Sequence, residues 1–386
     1  MNKTLYFDNN ATSALSPTVL CEMMPFLQDR YQNVSSIPGE LSGLRHALRK
    51  ARCNIASLLQ LDEPGECVFT SGATESNNWA VEGVVRQYYY EGGHVITSSL
   101  EHPSLLEAAR RVANYPNWSL TVIDPNVHGQ VAVESYIEAL QPNTRFVSLV
   151  LANSETGIIQ PVSQIARAVN SRAPHAIFHS DITQAVGRIP VSFSADFDAV
   201  DLASFSAHKF HGPKGCGGLI IREGVNIEPL LVGGGQEQGR RSGTTNLPAI
   251  VGCGAAALEL ANSDKSLTTT CDLRDFFESS LKTFFPDVVI FGANQERLPN
   301  TSLFAIPGSN GNAIAEKLAL MDIWVGTGSA CSSGALHPPS SLLAMRVPYS
   351  LATSAVRVSF SRYTEKAEVQ QLISALGNGL KNENTA

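Results

Sequence analysis

Two charged side chains, Lys209 and Asp181, are predicted to follow apolar strands, and both are suited to covalent or ionic catalysis. Lys209 ends a Ser-Ala-His-Lys segment that precedes a Gly-Pro turn, and Asp181 ends a His-Ser-Asp segment. A lysine amine can form a Schiff base with an aldehyde, and an aspartate can pair with a protonated ring nitrogen. Pyridoxal phosphate requires both of these groups. Asp181 could equally cap the turn that follows its strand.

Two further segments carry groups that are suited to binding phosphate. Residues 70–77 follow a strand and open a helix, with Gly72 permitting a tight turn and Thr74 supplying a hydroxyl. The free N–H groups of a helix start favour an anion, although a Ser or Thr at this position is more often only a helix cap. Ser206 and His208 form a second candidate pair.

An imidazole and a thiol complete the set of candidate reactive groups. His102 follows a strand in a Glu-His-Pro-Ser segment, where it could stack on a flat ring or transfer protons, but a lone loop histidine is more often solvated. Cys331 lies in a run of small residues, 326–334, which fits a nucleophile that must move. Taken alone, such a residue is more often a free cysteine without a function.

Other ligand-binding motifs do not match the sequence. The Gly-Pro-Lys-Gly segment after His211 lacks the spacing of a nucleotide-binding P-loop, and the glycines around Cys216 are not followed by the helix that a dinucleotide turn opens. His208 and His211 have no obvious third metal ligand. We therefore predict no metal site.

The elements that must position these groups alternate between short apolar strands and helical patterns over residues 66–221. Such alternation predicts an α/β fold with a mostly parallel sheet that helices cover on both faces. Ligands bind beyond the carboxyl ends of the strands in such sheets, which is where the candidate residues lie. The predicted strands are 66–70, 94–97, 120–123, 146–150, 176–179, 199–202 and 218–221, and the predicted helices are 75–90, 102–114, 133–140 and 161–173.

The pattern changes beyond residue 249 and predicts a smaller α+β domain. Its predicted elements are helices at 249–261 and 271–285 and strands at 288–291, 301–306 and 356–360. We place the large domain at residues 16–258. The small domain then comprises residues 1–15 and 259–386 and carries the Cys331 loop.

Composition and charge argue against several classes of protein. The chain has 386 residues, of which 43% are hydrophobic and 16% are charged, which excludes wholesale disorder. The formal net charge of −7 argues against direct nucleic-acid binding, and no apolar run reaches the ~20 residues that span a bilayer. Seven cysteines without a C-x-x-C pair argue against a disulfide framework. We expect a cytoplasmic protein that does not bind a membrane.

Taken together, these segments resemble the cysteine desulfurases of the class V, pyridoxal-phosphate-dependent aminotransferase family. The resemblance runs from segment 6–12 to segment 357–362, nearly the whole chain, and the Ser-x-His-Lys, Arg-Ser-Gly-Thr and Gly-Ser-Ala-Cys-Ser-Ser segments carry it. It implies aminotransferase fold type I, with a seven-stranded sheet in the large domain, and pyridoxal 5'-phosphate as the cofactor. It also implies an enzyme that converts L-cysteine to L-alanine and leaves a Cys331 persulfide for a sulfur-acceptor protein.

The resemblance implies the cofactor contacts residue by residue. Lys209 would hold the cofactor and move the Cα proton, Asp181 would pair with the ring nitrogen, and Gln184 would bond the ring hydroxyl. His102 would stack on the ring and take part in proton transfer. The residues implied to bind phosphate are Ala73, Thr74, Ser206, His208 and, from the neighbouring subunit of a homodimer, Thr244.

The resemblance also implies that Arg357 and Asn33 bind the substrate carboxylate and that Cys331 accepts the sulfur. Two departures qualify the match. The family usually has Asn-Asn-Glu-Thr-Gly where this chain has Ser154 at the second position, so the ring contact of that residue is not carried over. The family's Asn-Pro-Ser-Ser-x-His motif ends in Pro38 here, which removes the histidine and stiffens the backbone. These changes suggest a specialised branch.

Two other interpretations stay open at this point. A selenocysteine lyase of the same family would prefer selenocysteine to cysteine. A scaffold protein that keeps the fold without catalysis would explain the departures, but it has no chemical need for Lys209, Asp181, His102 and Cys331 together. The destination of the sulfur, whether iron–sulfur assembly, tRNA thiolation or DNA phosphorothioation, is not predicted.

Overall fold

The structure is a computed structural model that describes residues 4–263, 266–327 and 337–381. The helices are α1 Pro17–Gln28, α2 Ile37–Leu41, α3 Leu44–Leu59, α4 Ala73–Gln87, α5 Pro103–Val112, α6 Val133–Ala139, α7 Val162–Arg172, α8 Leu247–Ala261, α9 Ser266–Phe284, α10 Gly311–Ala319, α11 Ser340–Ala344, α12 Tyr349–Ala352 and α13 Lys366–Lys381. The strands are β1 Leu5–Phe7, β2 Cys67–Thr70, β3 Gly93–Ser98, β4 Trp118–Ile123, β5 Thr144–Ser148, β6 Ile177–Asp181, β7 Leu202–Ser206, β8 Gly217–Ile221, β9 Val289–Ile290, β10 Thr301–Ala305, β11 Ile323–Val325 and β12 Ala355–Ser359.

A seven-stranded sheet forms the centre of the molecule, in the order β2-β8-β7-β6-β5-β3-β4. Six strands run in one direction, and β8 runs antiparallel to both of its neighbours. The carboxyl ends of those six strands therefore lie along one edge. This confirms the predicted α/β class with a mostly parallel seven-stranded sheet.

Successive residues of the central strands point to opposite faces and pack into two different hydrophobic clusters, as a strand period of two requires. Val95 packs with α4 and α5 on one face, and its neighbour Ile96 packs with α7 and α8 on the other. Phe146 and Val147 divide in the same way. Burial on both faces explains why these strands read as continuous apolar runs.

The last third of the chain forms a second core around a three-stranded antiparallel sheet in the order β12-β10-β9. Phe277 of α9 packs against Phe304 of β10 and Phe360, with ring centroids 5.7 and 5.9 Å apart. β1 pairs with β11 in parallel, which ties the start of the chain to this region. The exact domain boundaries stay a prediction.

One predicted strand is misplaced. The sequence placed a strand at 199–202, whereas β7 begins at Leu202 and continues to Ser206. The serines of β7 break the apolar run that the prediction relied on. Ser204 is nevertheless fully buried. Its hydroxyl forms a hydrogen bond with Nε2 of His179 on β6 at 2.9 Å, which offsets the cost of burying a polar group. A satisfied buried hydroxyl costs little, so polar residues can occupy a central strand.

None of the helices in the described ranges is long and apolar enough to cross a membrane.

Candidate active site

A cavity of about 810 Å³ opens at the carboxyl edge of the central sheet. Nine of the predicted catalytic and binding residues line it: Ala73, Thr74, His102, Asp181, Gln184, Ser206, His208, Lys209 and Arg357. They come from strand ends and turns far apart in the chain. The structure therefore brings most of the predicted site together.

One corner of the cavity is built from the turn between β2 and α4. Gly72 has φ +151°, and a Cβ added there would lie 3.3 Å from Oγ of Ser206, so a side chain would crowd this corner. The N-terminus of α4 begins at the next residue, Ala73. Uncapped N–H groups and nearby hydroxyls give this corner the character of an anion site.

His208 lines the same cavity as a neutral ring. Its pKa is lowered to about 4 by burial first and then by the positive charges of Lys209, Lys214 and Arg188. Nδ1 of His208 lies 3.0 Å from Oγ1 of Thr12, which fixes the ring. At neutral pH the residue can offer a hydrogen bond but no charge.

Lys209 ends a single 3-10 turn, Ala207–Lys209, that follows β7 directly. Its Nζ donates to the backbone oxygens of Asn10 and Ala11 at 2.6 and 2.7 Å. The segment after β1 thus holds the amine at the cavity wall. Lys214 lines the same cavity but is exposed.

Asp181 occupies the last position of β6 and is 4% exposed. Oδ1 accepts from the backbone N of Thr183 at 2.9 Å, and Oδ2 accepts from Nδ2 of Asn77 at 2.8 Å. The carboxylate does cap its turn, as the alternative interpretation anticipated, and it also lines the cavity. The two interpretations are therefore compatible.

Gln184 is held by a buried arginine that the sequence did not single out. The Arg188 guanidinium donates to Oε1 of Gln184 and to the backbone oxygen of Asn9, the latter at 2.8 Å. Nε2 of Gln184 donates to the backbone oxygen of Asn10 at 3.0 Å. A guanidinium can only donate, so it sets the amide with its oxygen towards Arg188.

Arg357 lies in the middle of β12 and forms a buried ion pair with Asp8. Nη2 and Nε donate to the same carboxylate oxygen at 2.6 and 3.2 Å. Nη1 donates to the backbone oxygen of Ser154 at 3.0 Å. Arg357 is 3% exposed, so these partners fix the orientation of the guanidinium at the cavity wall.

A buried carboxyl that the sequence did not single out, Glu101, also lines the cavity. Oε1 accepts from the backbone N of Val150 at 2.8 Å and from Oγ of Ser98 at 3.1 Å. Burial first, and then the charge of Asp181, raises the pKa of Glu101 to about 8. The carboxyl is therefore mostly protonated at neutral pH. Its position beside His102 was the one available signal.

Three predicted site residues do not line this cavity in the described structure. Cys331 lies outside the described residues. Thr244 borders a separate cavity of about 160 Å³, together with Ser71 and Gly215. Asn33 stabilises its own turn, because its Oδ1 accepts from the backbone N of Ser35 at 2.9 Å. The roles of all three stay predictions.

The described residues hold no cluster of three or more His, Cys, Asp or Glu side chains that could bind a metal.

Comparison with known proteins places this geometry in a family. A family model described as aminotransferase class-V matches residues 5–372. A cysteine desulfurase from Nostoc sp. is 39% identical over 96% of this chain and 92% of its own length. The solved structure of a NifS-like protein is 34% identical, with a TM-score of 0.90, and covers 98% of this chain and 100% of that protein.

A second solved structure, SspA in complex with cysteine, is 30% identical to this chain. Its TM-score is 0.82, and the match covers 94% of this chain and 100% of that protein. The likeness to both structures covers nearly the whole chain and confirms the predicted aminotransferase fold. The chain belongs to the aminotransferase class-V family.

Proposed function

We propose that this protein is a pyridoxal 5'-phosphate-dependent cysteine desulfurase, which transfers the sulfur of L-cysteine to Cys331 and releases L-alanine. The observation that carries the proposal is the convergence of Lys209, Asp181 and His102 on one cavity at the carboxyl edge of the sheet. Relatives named cysteine desulfurase match almost the full chain. A similar structure that is described as a complex with cysteine supports the substrate.

The side chains that line the cavity fit pyridoxal phosphate. Lys209 offers an amine for its aldehyde, Asp181 a carboxylate for its ring nitrogen, and Gln184 an amide for its ring hydroxyl. The start of α4, with Thr74, Ser206 and the neutral His208 nearby, suits its phosphate. When bound, pyridoxal phosphate supplies an electron sink for negative charge that develops at the substrate Cα.

The chain's own residues would provide position and proton transfer. The amine of Lys209 is held at the wall by two backbone oxygens and is the candidate to move the Cα proton. The buried carboxylate of Asp181, held by Thr183 and Asn77, keeps negative charge where a ring nitrogen must carry a proton.

Arg357 would bind the substrate carboxylate. Its guanidinium donates hydrogen bonds to Asp8 and to the backbone oxygen of Ser154, and these contacts fix its orientation. A planar guanidinium recognises a carboxylate through two parallel hydrogen bonds.

Cys331 would act as the thiolate nucleophile. The sulfur–sulfur bond forms as the bond from the substrate Cβ to its sulfur breaks, and the electron pair of that bond passes to the carbon skeleton, which becomes alanine after protonation. One thiol and one L-cysteine give one persulfide and one L-alanine, so no external oxidant or reductant is needed. A sulfur-acceptor protein would then take the outer sulfur.

The test follows both products in one experiment. The purified holoenzyme is mixed with L-cysteine, released alanine is quantified, and the mass of the Cys331 peptide is measured. We expect alanine and a mass increase of one sulfur on that peptide, both lost in Cys331→Ser. Alanine released at the native rate by Cys331→Ser would remove Cys331 from the mechanism. Activity on selenocysteine with none on cysteine would instead favour a selenocysteine lyase.

We also propose a homodimer in which Thr244 of one subunit reaches the phosphate of the other. Thr244 does not line the large cavity of its own chain in the described structure, although the small cavity that it borders shares Ser71 and Gly215 with the large one. Mixing Lys209→Ala chains with Thr244→Ala chains should then restore activity, because one site of the mixed dimer carries neither change. No restoration would place Thr244 in its own subunit's site or outside any site.

A further inference from the structure

A chain of hydrogen bonds links Asp181 to His102 through two polar side chains that have no assigned role. Nδ2 of Asn77 donates to Oδ2 of Asp181 at 2.8 Å and to Oγ of Ser104 at 2.9 Å. Oγ of Ser104 lies 2.7 Å from Nδ1 of His102. Asn77 is fully buried. The chain therefore starts in the buried interior at Asp181 and Asn77 and reaches the half-buried side chains of Ser104 and His102.

The direction of the first two bonds follows from the chemistry of the groups. A carboxylate accepts hydrogen bonds, so Asn77 must present its NH₂ group to Asp181. That nitrogen has a second hydrogen, which it donates to Ser104. Oδ1 of Asn77 is buried without a partner in the described part of the chain. A flipped amide would turn this oxygen against the carboxylate of Asp181, so the flip is disfavoured.

The hydroxyl of Ser104 accepts from Asn77, and its own hydrogen is therefore free to be donated to His102. The backbone N of Ser104 donates to the same Nδ1 atom at 3.1 Å. His102 is the N-cap residue of α5, and Pro103, the first helical residue, has no N–H. The N–H of Ser104 is thus the first that α5 can offer to its cap. Two donors converge on Nδ1, and a proton on that atom would oppose both.

We infer that Asn77 and Ser104 select the tautomer of the His102 imidazole that carries its proton on Nε2, and that Ser104 is a positioning residue of the active site. His102 then faces a ligand as a hydrogen-bond donor. The assignment of the proton stands on the hydrogen bonds alone, whereas its use in catalysis rests on the proposed function.

This assignment narrows the role that the sequence predicted for His102. An imidazole with a proton on Nε2 cannot accept a second proton at that atom, and Nδ1 is occupied by its two donors. His102 would therefore donate to an electron-rich atom of the bound substrate, such as a carboxylate oxygen or a developing thiolate. Base catalysis would then fall to Lys209, whose amine lies at the wall of the same cavity.

The proton can be located by ¹⁵N NMR on the holoenzyme with selectively labelled histidine. The chain has nine histidines, and the signals of His102 are those lost in His102→Gln. The spectra are recorded above the pH range in which imidazole ordinarily titrates. We expect a pyridine-like shift for Nδ1 and a pyrrole-like shift for Nε2. A pyrrole-like Nδ1, alone or together with Nε2, would overturn the inference.

Variants of Ser104 test whether this residue sets the proton. Ser104→Ala removes the hydroxyl but keeps the backbone N–H, so we expect the ratio of the two neutral forms to shift about fivefold, the effect of one ordinary hydrogen bond. Ser104→Thr keeps a hydroxyl and should restore the native ratio. An unchanged ratio in Ser104→Ala would show that Ser104 does not position His102.

Ser99→Ala is the matched control. Ser99 lies in the same turn, and its hydroxyl has no hydrogen-bond partner among the residues that the structure describes. The variant should leave the His102 signals unchanged; a shift equal to that of Ser104→Ala would count against the inference. Alanine release is measured on the same samples. The expected signals in an enzyme that releases no alanine would reject the proposed function and keep the assignment of the proton.

Discussion

The two walls of the cavity are built on different principles. The wall from the central sheet presents its groups at strand ends and tight turns, where Asp181 and Lys209 are held by backbone groups and an amide. The wall from the three-stranded sheet presents Arg357 from the middle of β12, where a buried carboxylate, Asp8, balances its charge. The first wall holds its two charged groups, Asp181 and Lys209, with neutral partners, and the second holds Arg357 with an opposite charge. We therefore expect changes in the first wall to affect chemistry most and changes in the second to affect folding as well.

The largest effect is expected at the lysine. Lys209→Ala should lower alanine release by about 10³-fold or more, because it removes both the cofactor attachment and the group that moves the Cα proton. Lys214→Ala removes the other, exposed lysine of the cavity and should change the rate less than tenfold. Steady-state alanine assays on both variants check this. Similar losses in the two variants would end the assignment of Lys209.

The second wall can be tested through stability. Arg357→Ala leaves the carboxylate of Asp8 buried without its partner, which should cost about 3–5 kcal/mol of unfolding free energy. Urea denaturation of the apoprotein measures this loss separately from catalysis. The double variant Asp8→Asn, Arg357→Met should recover much of the stability while L-cysteine binding stays weak. If Arg357→Ala alone is as stable as the native protein, the ion pair between Asp8 and Arg357 does not stabilise this wall.

Glu101 offers a test that depends on pH. The folded protein keeps a proton on Glu101 up to a pKa of about 8, whereas the ordinary value for the unfolded chain is 4.5. The unfolded state therefore binds fewer protons between these values, and the contribution of Glu101 to stability falls as pH rises, by up to about 1.4 kcal/mol per pH unit.

The matching variant is Glu101→Gln, which keeps an acceptor oxygen for Val150 and Ser98 but does not titrate. The unfolding free energy of this variant should lack the pH dependence that Glu101 contributes. The variant should therefore become more stable relative to the native protein as pH rises towards about 8. Denaturation midpoints over this range provide the measurement. Parallel curves for the two proteins would mean that Glu101 is ionised at neutral pH.

The smallest expected effect is at His208. His208→Gln should weaken binding of pyridoxal phosphate by about tenfold or less, the equivalent of one neutral hydrogen bond. The pKa of His208 is lowered to about 4, so the ring should stay neutral from about pH 5.5 to about pH 8. Over this range, the dissociation constant of pyridoxal phosphate from His208→Gln, divided by that from the native protein, should therefore stay constant. A ratio that grows as the pH falls would indicate that His208 binds as a cation.

The sequence predicted the first wall better than the second. Strand–helix alternation predicts a parallel sheet, and a parallel sheet predicts that residues after its strands meet at one edge, so His102, Asp181 and Lys209 follow from local patterns. Arg357 sits within a strand, where a charged residue gives no local signal of a site. Only the resemblance to a family identified it.

The partners of these residues could not be predicted for a different reason. Asp8 and Arg357 are 349 positions apart, and Asn77 and Asp181 are 104 positions apart. Such pairs form because the chain folds, and neither residue's local pattern specifies the other. Glu101 shows the same limit, since its raised pKa depends on burial by elements that are distant in the sequence.

Reduction of the holoenzyme with borohydride, followed by mass spectrometry of its peptides, tests the central claim most directly. Borohydride fixes the cofactor to the amine that holds it, and the chain offers both Lys209 and Lys214 at the same cavity. The account predicts a reduced pyridoxyl group on the peptide that contains Lys209. A label on Lys214 or another lysine, or a protein that takes up no pyridoxal phosphate, would contradict it.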